Sequence, residues 1–360
     1  MIRECIEKLV GLVDLSEQEM AEAIDQVMTG QATAAQVASF ITALRMKGET
    51  VEEICGAARV MRERALRLHL PGMRLIDTCG TGGDRAMTFN ISTAAALVVA
   101  AAGLAVAKHG NRAVSSSCGS ADVLEALGVR VGLEPEQVED CVRETGIGFL
   151  FAPTFHQAMR HAAAPRREIG IRTIFNVLGP LTNPAGAQVQ LLGVFSPQLA
   201  LKMALALQRL GTESAYVVHG AGGLDELSLA GPNLIYAVSE SGVEEFRLEA
   251  ADVGLGSAPG EALAGGSAAE NASIIRRVLS GERGPQRDVV LFNAGAAIAA
   301  GRSEQRRKRT LDRLRREIRE GIAAAAEAID LGAAARKLEE LAAFTGRAGE
   351  EQDRRRAVAS

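Results

Sequence analysis

Two stretches of this chain, Asp77-Thr-Cys-Gly-Thr-Gly-Gly-Asp84 and Lys108-His-Gly-Asn-Arg-Ala-Val-Ser-Ser116, each end a short apolar run and lead into a helix-forming segment. The first follows Arg74-Leu-Ile-Asp-Thr78 and precedes Ser92-Thr-Ala-Ala-Ala-Leu-Val-Val-Ala-Ala-Ala102, an alanine-rich segment whose Ser92 and Thr93 suit a helix N-terminus. The second follows Gly103-Leu-Ala-Val-Ala107 and precedes Ser120-Ala-Asp-Val-Leu-Glu-Ala-Leu127, with Gly128 placed to close that helix. Similar apolar runs near residues 74, 104, 129, 147, 190, 215 and 234 alternate with helical segments, which predicts an α/β fold around a mostly parallel central sheet.

The same construction constrains chemistry. Gly80, Gly82 and Gly83 permit positive φ and close backbone approach, so consecutive amides can line a nest for phosphate, reinforced by the dipole of the helix that follows. In the second stretch Lys108 and Arg112 bring charge, and Asn111, Ser115, Ser116 and Ser120 bring neutral donors, at the carboxyl end of a strand where open α/β sheets bind ligands. Together the two stretches read as a site for a highly phosphorylated small molecule, although such turns can also merely connect a strand to a helix. Neither common nucleotide fingerprint fits: Arg85 stands where G-x-G-x-x-G needs glycine, and no G-x-x-x-x-G-K-[ST] occurs.

Residues 1–70 predict helices at Ile2 to Val13, Ser16 to Met28, Thr33 to Lys47 and Thr50 to Arg67, with Ser16, Thr33 and Thr50 as N-caps. Pro71-Gly72 ends this pattern. The expected organisation is a small helical domain over 1–70, joined by 165–185, and a larger α/β domain over 73–164 and 186–346, with 347–360 as a polar tail. Gly254 to Gly266 is rich in small residues and predicts a surface loop.

Hydrophobic residues make up 47% and charged residues 23% of the chain, ordinary for a globular protein, and a formal net charge of −4 argues against general polyanion binding. The five cysteines, at 5, 55, 79, 118 and 141, lack metal spacing and are odd in number, which fits a reducing, cytoplasmic compartment. Arg3, Glu4, Glu7 and Lys8 are incompatible with a secretory leader, and no apolar run is long enough to predict a membrane span.

Gly80-Thr-Gly-Gly-Asp84, Thr88-Phe-Asn-Ile-Ser-Thr93, Lys108-His-Gly-Asn-Arg112, Gly119-Ser-Ala-Asp-Val-Leu-Glu-Ala-Leu-Gly128, Gly170-Ile-Arg-Thr-Ile-Phe-Asn-Val-Leu-Gly-Pro-Leu-Thr-Asn-Pro184 and Gly223-Leu-Asp-Glu-Leu-Ser228 resemble, in order, the motifs of the anthranilate phosphoribosyltransferase family. The resemblance implies a fold of the nucleoside phosphorylase and phosphoribosyltransferase type. It also implies transfer of phosphoribose from 5-phosphoribosyl 1-diphosphate to the amine of anthranilate, releasing diphosphate, in tryptophan biosynthesis. Magnesium is the implied cofactor and a homodimer through the helical domain the implied assembly. The donor site would comprise Gly80, Gly83, Asp84, Thr88, Asn90, Ile91, Ser92, Thr93, Lys108, His109, Gly110, Asn111, Arg112, Ala113, Val114, Ser115, Ser116 and Ser120. Ser92, Asp225 and Glu226 would hold magnesium, and Gly80, Asn111 and Arg166 would contact anthranilate.

Each of these residues also has an ordinary reading. Asp225-Glu226 can be a solvated turn, but Gly222-Gly223 and the run Ala215-Tyr-Val-Val218 place it just past a strand end. Arg166, in Pro165-Arg-Arg-Glu168, is expected at a helix start, where the dipole offers a cation nothing, so a carboxylate-binding role is favoured for it or for Arg167. His109 suits substrate positioning better than proton transfer, because an aromatic amine is already neutral at pH 7. His156 and Met159 would line the anthranilate pocket by analogy only. Cys79 and Cys118 read as small buried residues rather than nucleophiles.

Three features depart from the family pattern. Arg85 replaces a common glycine, Ser117-Cys118 replaces a common Lys-Ser, and the segment between Gly301 and Gly321 is longer and arginine-rich (Arg306-Arg-Lys-Arg309, Arg313, Arg315, Arg316, Arg319). Arg85 is a candidate to replace the missing cation. In the longer segment Leu311, Leu314 and Ile318 recur at helical spacing among Asp312, Glu317 and Glu320, which favours a solvated helix over a nucleic-acid surface. Two other functions compete. A pyrimidine nucleoside phosphorylase would carry a different run before its glycine pair than Asp77-Thr-Cys79, and a noncatalytic nucleic-acid-binding relative would be expected to lose Asp225, Glu226, Asn111 or Arg166.

Overall fold

The computed structural model describes residues 1–84, 86–113, 118–303 and 309–359. Four helices open the chain: α1 (Ile2–Val10), α2 (Glu17–Met28), α3 (Ala34–Lys47) and α4 (Val51–Arg64). The last three start on capping boxes in which Ser16, Thr33 and Thr50 accept from the N3 amides of Glu19, Gln36 and Glu53, whose side chains return the bond. The first and fourth helices end three residues earlier than predicted, at Val10 and Arg64.

Strand–helix alternation then follows: β1 (Leu75–Gly80), α5 (Ile91–Ala101), β2 (Ala105–Gly110), α6 (Ser120–Ala126), α7 (Pro135–Thr145), β3 (Ile147–Phe151), α8 (Ala152–Phe155), α9 (Arg160–Ile169), α10 (Phe175–Leu178), β4 (Val189–Gly193), α11 (Pro197–Arg209), β5 (Ser214–His219), β6 (Asn233–Ser239) and β7 (Gly242–Leu248). Helices α12 (Ala268–Leu279), α13 (Pro285–Arg302), α14 (Leu311–Asp330) and α15 (Ala333–Ala359) complete the described chain. The strands form one seven-stranded sheet in the order β3-β2-β1-β4-β5-β6-β7. Pairing is parallel from β3 to β5 and antiparallel across β5-β6-β7. Because the chain walks outward from β1 to β3 and then returns beside β1 as β4, the carboxyl ends of β1 and β4 form a crevice at a topological switch point.

One face of the sheet packs on α5, α12, α13 and α14. The other merges with the helical bundle: Met20, Phe40, Ile41 and Ile54 share a core with Met203 and Leu207 of α11 and with Val217 and Val238 of the sheet. Helix α9 packs on α2 and α3, carrying the chain back to the bundle just before the crevice.

Four expectations are corrected. Residues near 129 form no strand, because Gly128 (φ +92) and Gly132 (φ +78) turn the backbone on either side of a run too short to pair. Strand β7 was not anticipated. The segment 347–359 is no separate tail but the end of α15, where Ala348 and Gln352 are buried and Arg130 pairs with Asp353 at 2.6 Å. The 254–266 loop is not simply solvated: Leu263 is buried, Phe89 N–H donates to its carbonyl (3.1 Å), and Thr88 bridges Ala264.

Of the arginine-rich segment, Arg306, Arg307 and Lys308 lie outside the described residues. Arg309 is buried, its guanidinium 5.0 Å from the Tyr216 ring centre, while Arg313 pairs with Glu317 and Arg315 with Asp252. Leu314 and Ile318 enter the core, so much of this helix's charge is committed to the protein's own surface. No described helix is long and apolar enough to cross a membrane.

Candidate active site

A cavity of about 360 Å³ opens at the crevice. It brings together the residues named from the sequence that the structure describes: Gly80, Gly83, Asp84, Thr88, the start of α5 from Asn90 to Thr93, Lys108 to Ala113, Ser120, Arg166, Asp225 and Glu226. Val114, Ser115, Ser116 and Ser117, like Arg85, lie outside the described residues. A second cavity of about 350 Å³ adjoins it, sharing His109, Asn111 and Arg166 and adding Met61, His156 and Met159.

The acid pair reaches the first loop from the connection between β5 and β6. Gly82 N–H donates to Asp225 Oδ2 at 2.6 Å, and Ser92 N–H at the start of α5 donates to Glu226 Oε1 at 3.1 Å. Close approach requires glycine at two strand ends. A Cβ on Gly80 would collide with the Asp225 carboxylate, and one on Gly193 with the Asp225 carbonyl. Asn293 of α13 holds the next residue, accepting from Leu227 N–H (2.9 Å) and donating to Leu227 C=O (3.0 Å). These supports were invisible in the motif pattern.

The acids are crowded and dry. Burial pushes the Asp225 carboxyl well above its usual range, helped by Asp84 and Glu226 nearby, and burial pushes Glu226 up to about 7 even though Lys108 pulls it down. Two like charges held in a low-dielectric cleft favour a cation between them. The donor set, carboxylates beside the Ser92 hydroxyl, suits hard Mg²⁺. Among the described residues no group of three or more His, Cys, Asp and Glu side chains encloses an ion.

Lys108 is buried, with Nζ donating to Thr78 C=O at 2.5 Å and to Ser92 Oγ at 3.4 Å. Burial lowers its pKa, opposed by Asp77. Asp77 in turn accepts from His109 N–H (3.2 Å) and Asn183 Nδ2 (2.8 Å), and burial raises it to about 6. This network fixes the end of β2 under the cavity.

His109 is a poor general base. Its Nδ1–H donates to Gly179 C=O at 3.1 Å, its Nε2 is buried without a partner, and burial lowers its pKa to about 3, with His156 adding to the effect. His156, with ring centres 5.0 Å apart, is likewise lowered to about 4 by burial. Both imidazoles are neutral at pH 7. The cysteines are buried free thiols, and burial raises Cys79 well above the ordinary thiol value, so nothing here makes a nucleophile of it.

Arg166 sits in the last turn of α9, not at a helix start as expected: Pro165 lies within the helix rather than opening it. The dipole therefore favours the cation. Its guanidinium lies 5.3 Å from the Phe175 ring centre, and burial depresses its pKa. Among the described residues it has no carboxylate partner, whereas Arg167 is exposed to solvent. Arg172 also lines the cavity and was not singled out by sequence reasoning, although it stands within the Gly170–Pro184 motif.

The second loop is more self-contained than expected. Arg112 N–H donates to Asn111 Oδ1 (2.8 Å) and Ala113 N–H to Asp122 Oδ2 (3.0 Å), so these amides are not free to meet an anion. The Arg112 guanidinium pairs with Asp122 (3.1 Å) and Glu125 (2.6 Å). In the first loop the amides of Gly83 and Asp84 have no partner among the described residues.

Comparison with known proteins agrees with this arrangement. Residues 3–65 match the helical bundle domain, and residues 72–335 the a/b domain, of a glycosyl transferase family. The anthranilate phosphoribosyltransferase of Pelotomaculum thermopropionicum is 55% identical over 346 residues, covering 96% of this chain and 97% of that one. That of Chloroflexus aurantiacus is 56% identical over 346 residues, covering 96% and 98%. The crystal structure of the Thermus thermophilus enzyme superposes with a TM-score of 0.86 at 46% identity, covering 95% of this chain and 99% of that one. The Saccharomyces cerevisiae enzyme in complex with PRPP and Mg superposes with a TM-score of 0.86 at 30% identity, covering 96% and 98%. With both domains matched and half or more of its residues shared along nearly its whole length, the chain belongs to the anthranilate phosphoribosyltransferase family.

Proposed function

We propose that this chain transfers phosphoribose from 5-phosphoribosyl 1-diphosphate to the amine of anthranilate, giving N-(5-phosphoribosyl)anthranilate and diphosphate, as a step of tryptophan biosynthesis. The observation that carries the reading is one cavity with two differently equipped ends. A buried acid pair and open amides lie at one, and an unpaired, half-buried arginine over an aromatic ring lies at the other.

Breaking the bond from C1 of ribose to diphosphate builds negative charge on the leaving group and positive charge on the sugar. Asp225, Glu226 and Ser92 would hold Mg²⁺ beside the diphosphate, where the ion supplies Lewis-acid neutralisation of the leaving charge. The Gly83 and Asp84 amides and the N-terminus of α5 face the same charge with oriented dipoles. Arg166 would take the anthranilate carboxylate, with Gly80 and Asn111 lining the path to the sugar. Neutral His109 and His156 exclude water and position the ring, leaving the rate to orientation and electrostatics.

A homodimer through the helical domain fits the surface. Val10, Leu12, Val13 and Met46 are exposed at neighbouring ends of α1 and α3, with Met46 80% open to solvent. The buried free thiols fit a reducing cytoplasm.

The test is loss of anthranilate fluorescence on adding the donor and magnesium, followed with diphosphate release, in a chain that has no Trp. A magnesium-dependent decrease is expected. Its absence with anthranilate binding intact would point to a binding-only relative, and its absence with no anthranilate binding to another aromatic acceptor. Arg166→Gln should raise KM for anthranilate about tenfold or more while leaving donor KM alone. Equal effects on both substrates would remove Arg166 from the acceptor end.

A further inference from the structure

The guanidinium of Arg172, between α9 and α10, lies against the first glycine-rich loop. Its Nη2 donates to the carbonyls of Thr81 and Gly82, both at 2.9 Å, and its guanidinium carbon lies over Phe195, 4.8 Å from the ring centre. Carbonyls are neutral, so the cation is bound without being neutralised, and none of the described ion pairs includes it. The N–H groups on Nη1 and Nε have no acceptor. The Nη1 group lies against Gly83, where a Cβ would collide with it, and Gly83 adopts φ +88. The open donors of Arg172 and the unpartnered amides of Gly83 and Asp84 therefore belong to one wall of the cavity.

The other cations of that cavity are committed elsewhere. Lys108 is engaged with Thr78 and Ser92, Arg112 with Asp122 and Glu125, and Arg166 lies over Phe175 at the acceptor end. A diphosphate entering beside Asp84, Asp225 and Glu226 meets three acidic side chains, and Arg172 is a described cation with the donors of two nitrogens to spare on that side.

We propose that Arg172 binds the leaving diphosphate of the donor and, through the Thr81 and Gly82 carbonyls, holds the first loop in the shape that receives it. This rests on the transferase reading above and names a residue for its leaving group. Arg172 then supplies the positive charge that Ser117-Cys118 no longer brings, a role for which Arg85 was the candidate by sequence alone. A planar guanidinium suits both tasks, gripping two carbonyls with Nη2 and leaving the N–H groups of Nη1 and Nε for phosphate oxygens.

The test uses the full chain, with calorimetric binding of magnesium diphosphate measured beside steady-state kinetics. Arg172→Gln should weaken diphosphate binding and raise donor KM about tenfold or more, with KM for anthranilate unchanged. Arg172→Lys keeps the charge but loses the fork, and should fall between the two. Wild-type diphosphate affinity in Arg172→Gln would overturn the proposal, as would a rise in both KM values with a lowered thermal midpoint, which marks a purely structural clamp. Wild-type affinity in Arg172→Lys would overturn the loop-holding half. A wild-type chain that binds diphosphate but leaves anthranilate unconsumed would instead sink the transferase reading, since the binding measurement needs no acceptor.

Discussion

The loops after β1 and β2 look alike in sequence but are held in opposite ways. The second is tied by its neighbours: Asp122 accepts from Ala113 and Gly119 N–H at 3.0 and 2.9 Å, and Ser120 Oγ donates to Asn111 C=O at 3.2 Å. The first is tied from afar, with Asp225 accepting from Gly82 and Arg172 donating to Thr81 and Gly82. Glycine content therefore does not say which amides face a ligand. Distant side chains secure the first loop through its carbonyls and one amide and leave Gly83 and Asp84 open, whereas in the second, among the described residues, local side chains occupy the amides of Arg112, Ala113 and Gly119.

The largest effect should come from the acids that tie the first loop. Asp225→Asn with Glu226→Gln should reduce magnesium-dependent turnover by about a thousandfold or more, because the leaving charge loses its metal. Full activity would end the metal assignment. The metal-free double variant should be at least as stable as the parent near pH 7, since it removes buried like charges. The pH sign follows. Burial raises Glu226 from 4.5 to about 7, so the folded chain binds more protons than the unfolded one across that window, and stability falls as pH rises through it. Glu226→Gln should flatten that slope in thermal midpoints taken from pH 5 to 7. The second loop has the opposite sign. Burial alone would raise Asp122, but the amides of Ala113 and Gly119 together with Arg112 outweigh it and lower its pKa below 3.8, so its contribution is present above that value and lost on acidification.

Next in size is Gly193→Ala at the end of β4. A Cβ there meets the Asp225 carbonyl, backbone that cannot swing aside. The expected cost is about 1–3 kcal/mol in denaturant unfolding, with donor KM raised and anthranilate KM unchanged. A neutral result would mean that the acid turn is free to shift, contrary to the clamp that Asn293 places on Leu227.

What the sequence revealed about the two loops follows the same division. Residues that act on near neighbours were legible: the N-caps Ser16, Thr33 and Thr50 and the helix that Gly128 closes, although β1 and β2 run on to Gly80 and Gly110, two and three residues past the apolar runs. Pairings across the fold were not. Nothing in Gly170-Ile-Arg-Thr173 says that Arg172 will reach Thr81, and nothing near Asn293 says that it will hold Leu227. Strand β7 escaped because an edge strand carrying Glu244, Glu245 and Arg247 lacks a full apolar face. The charged end of α15 hid a buried line of Thr345, Ala348 and Gln352. Pro165 misleads about Arg166, because proline favours the opening of a helix, whereas here it lies inside one that begins at Arg160.

A local tie should cost less to cut. Asp122→Asn keeps one acceptor but loses the charge that serves two amides and Arg112, so a loss of about 1 kcal/mol and a donor KM raised several-fold are expected. A drop matching that of Gly193→Ala would show the two loops to be equally critical and undo the contrast.

The smallest effect should belong to Arg112, although the sequence makes it look like a phosphate ligand. Its guanidinium is about half exposed, 48%, and turned toward Asp122 and Glu125. Exposed ion pairs contribute about 1 kcal/mol or less, so Arg112→Ala should barely move the thermal midpoint. For catalysis the two loops give different forecasts. If the second loop is a scaffold, Arg112→Ala leaves donor KM within about threefold of the parent, since the charge it removes was already balanced by Glu125. If Arg112 instead abandons Glu125 for the donor's phosphate, KM rises about tenfold, and the rise is larger in the Glu125→Gln background, where the arginine no longer has to leave a carboxylate and so contributes more to binding. Donor KM in the two single variants and the double variant therefore decides whether the second loop keeps its resting ties when substrate binds.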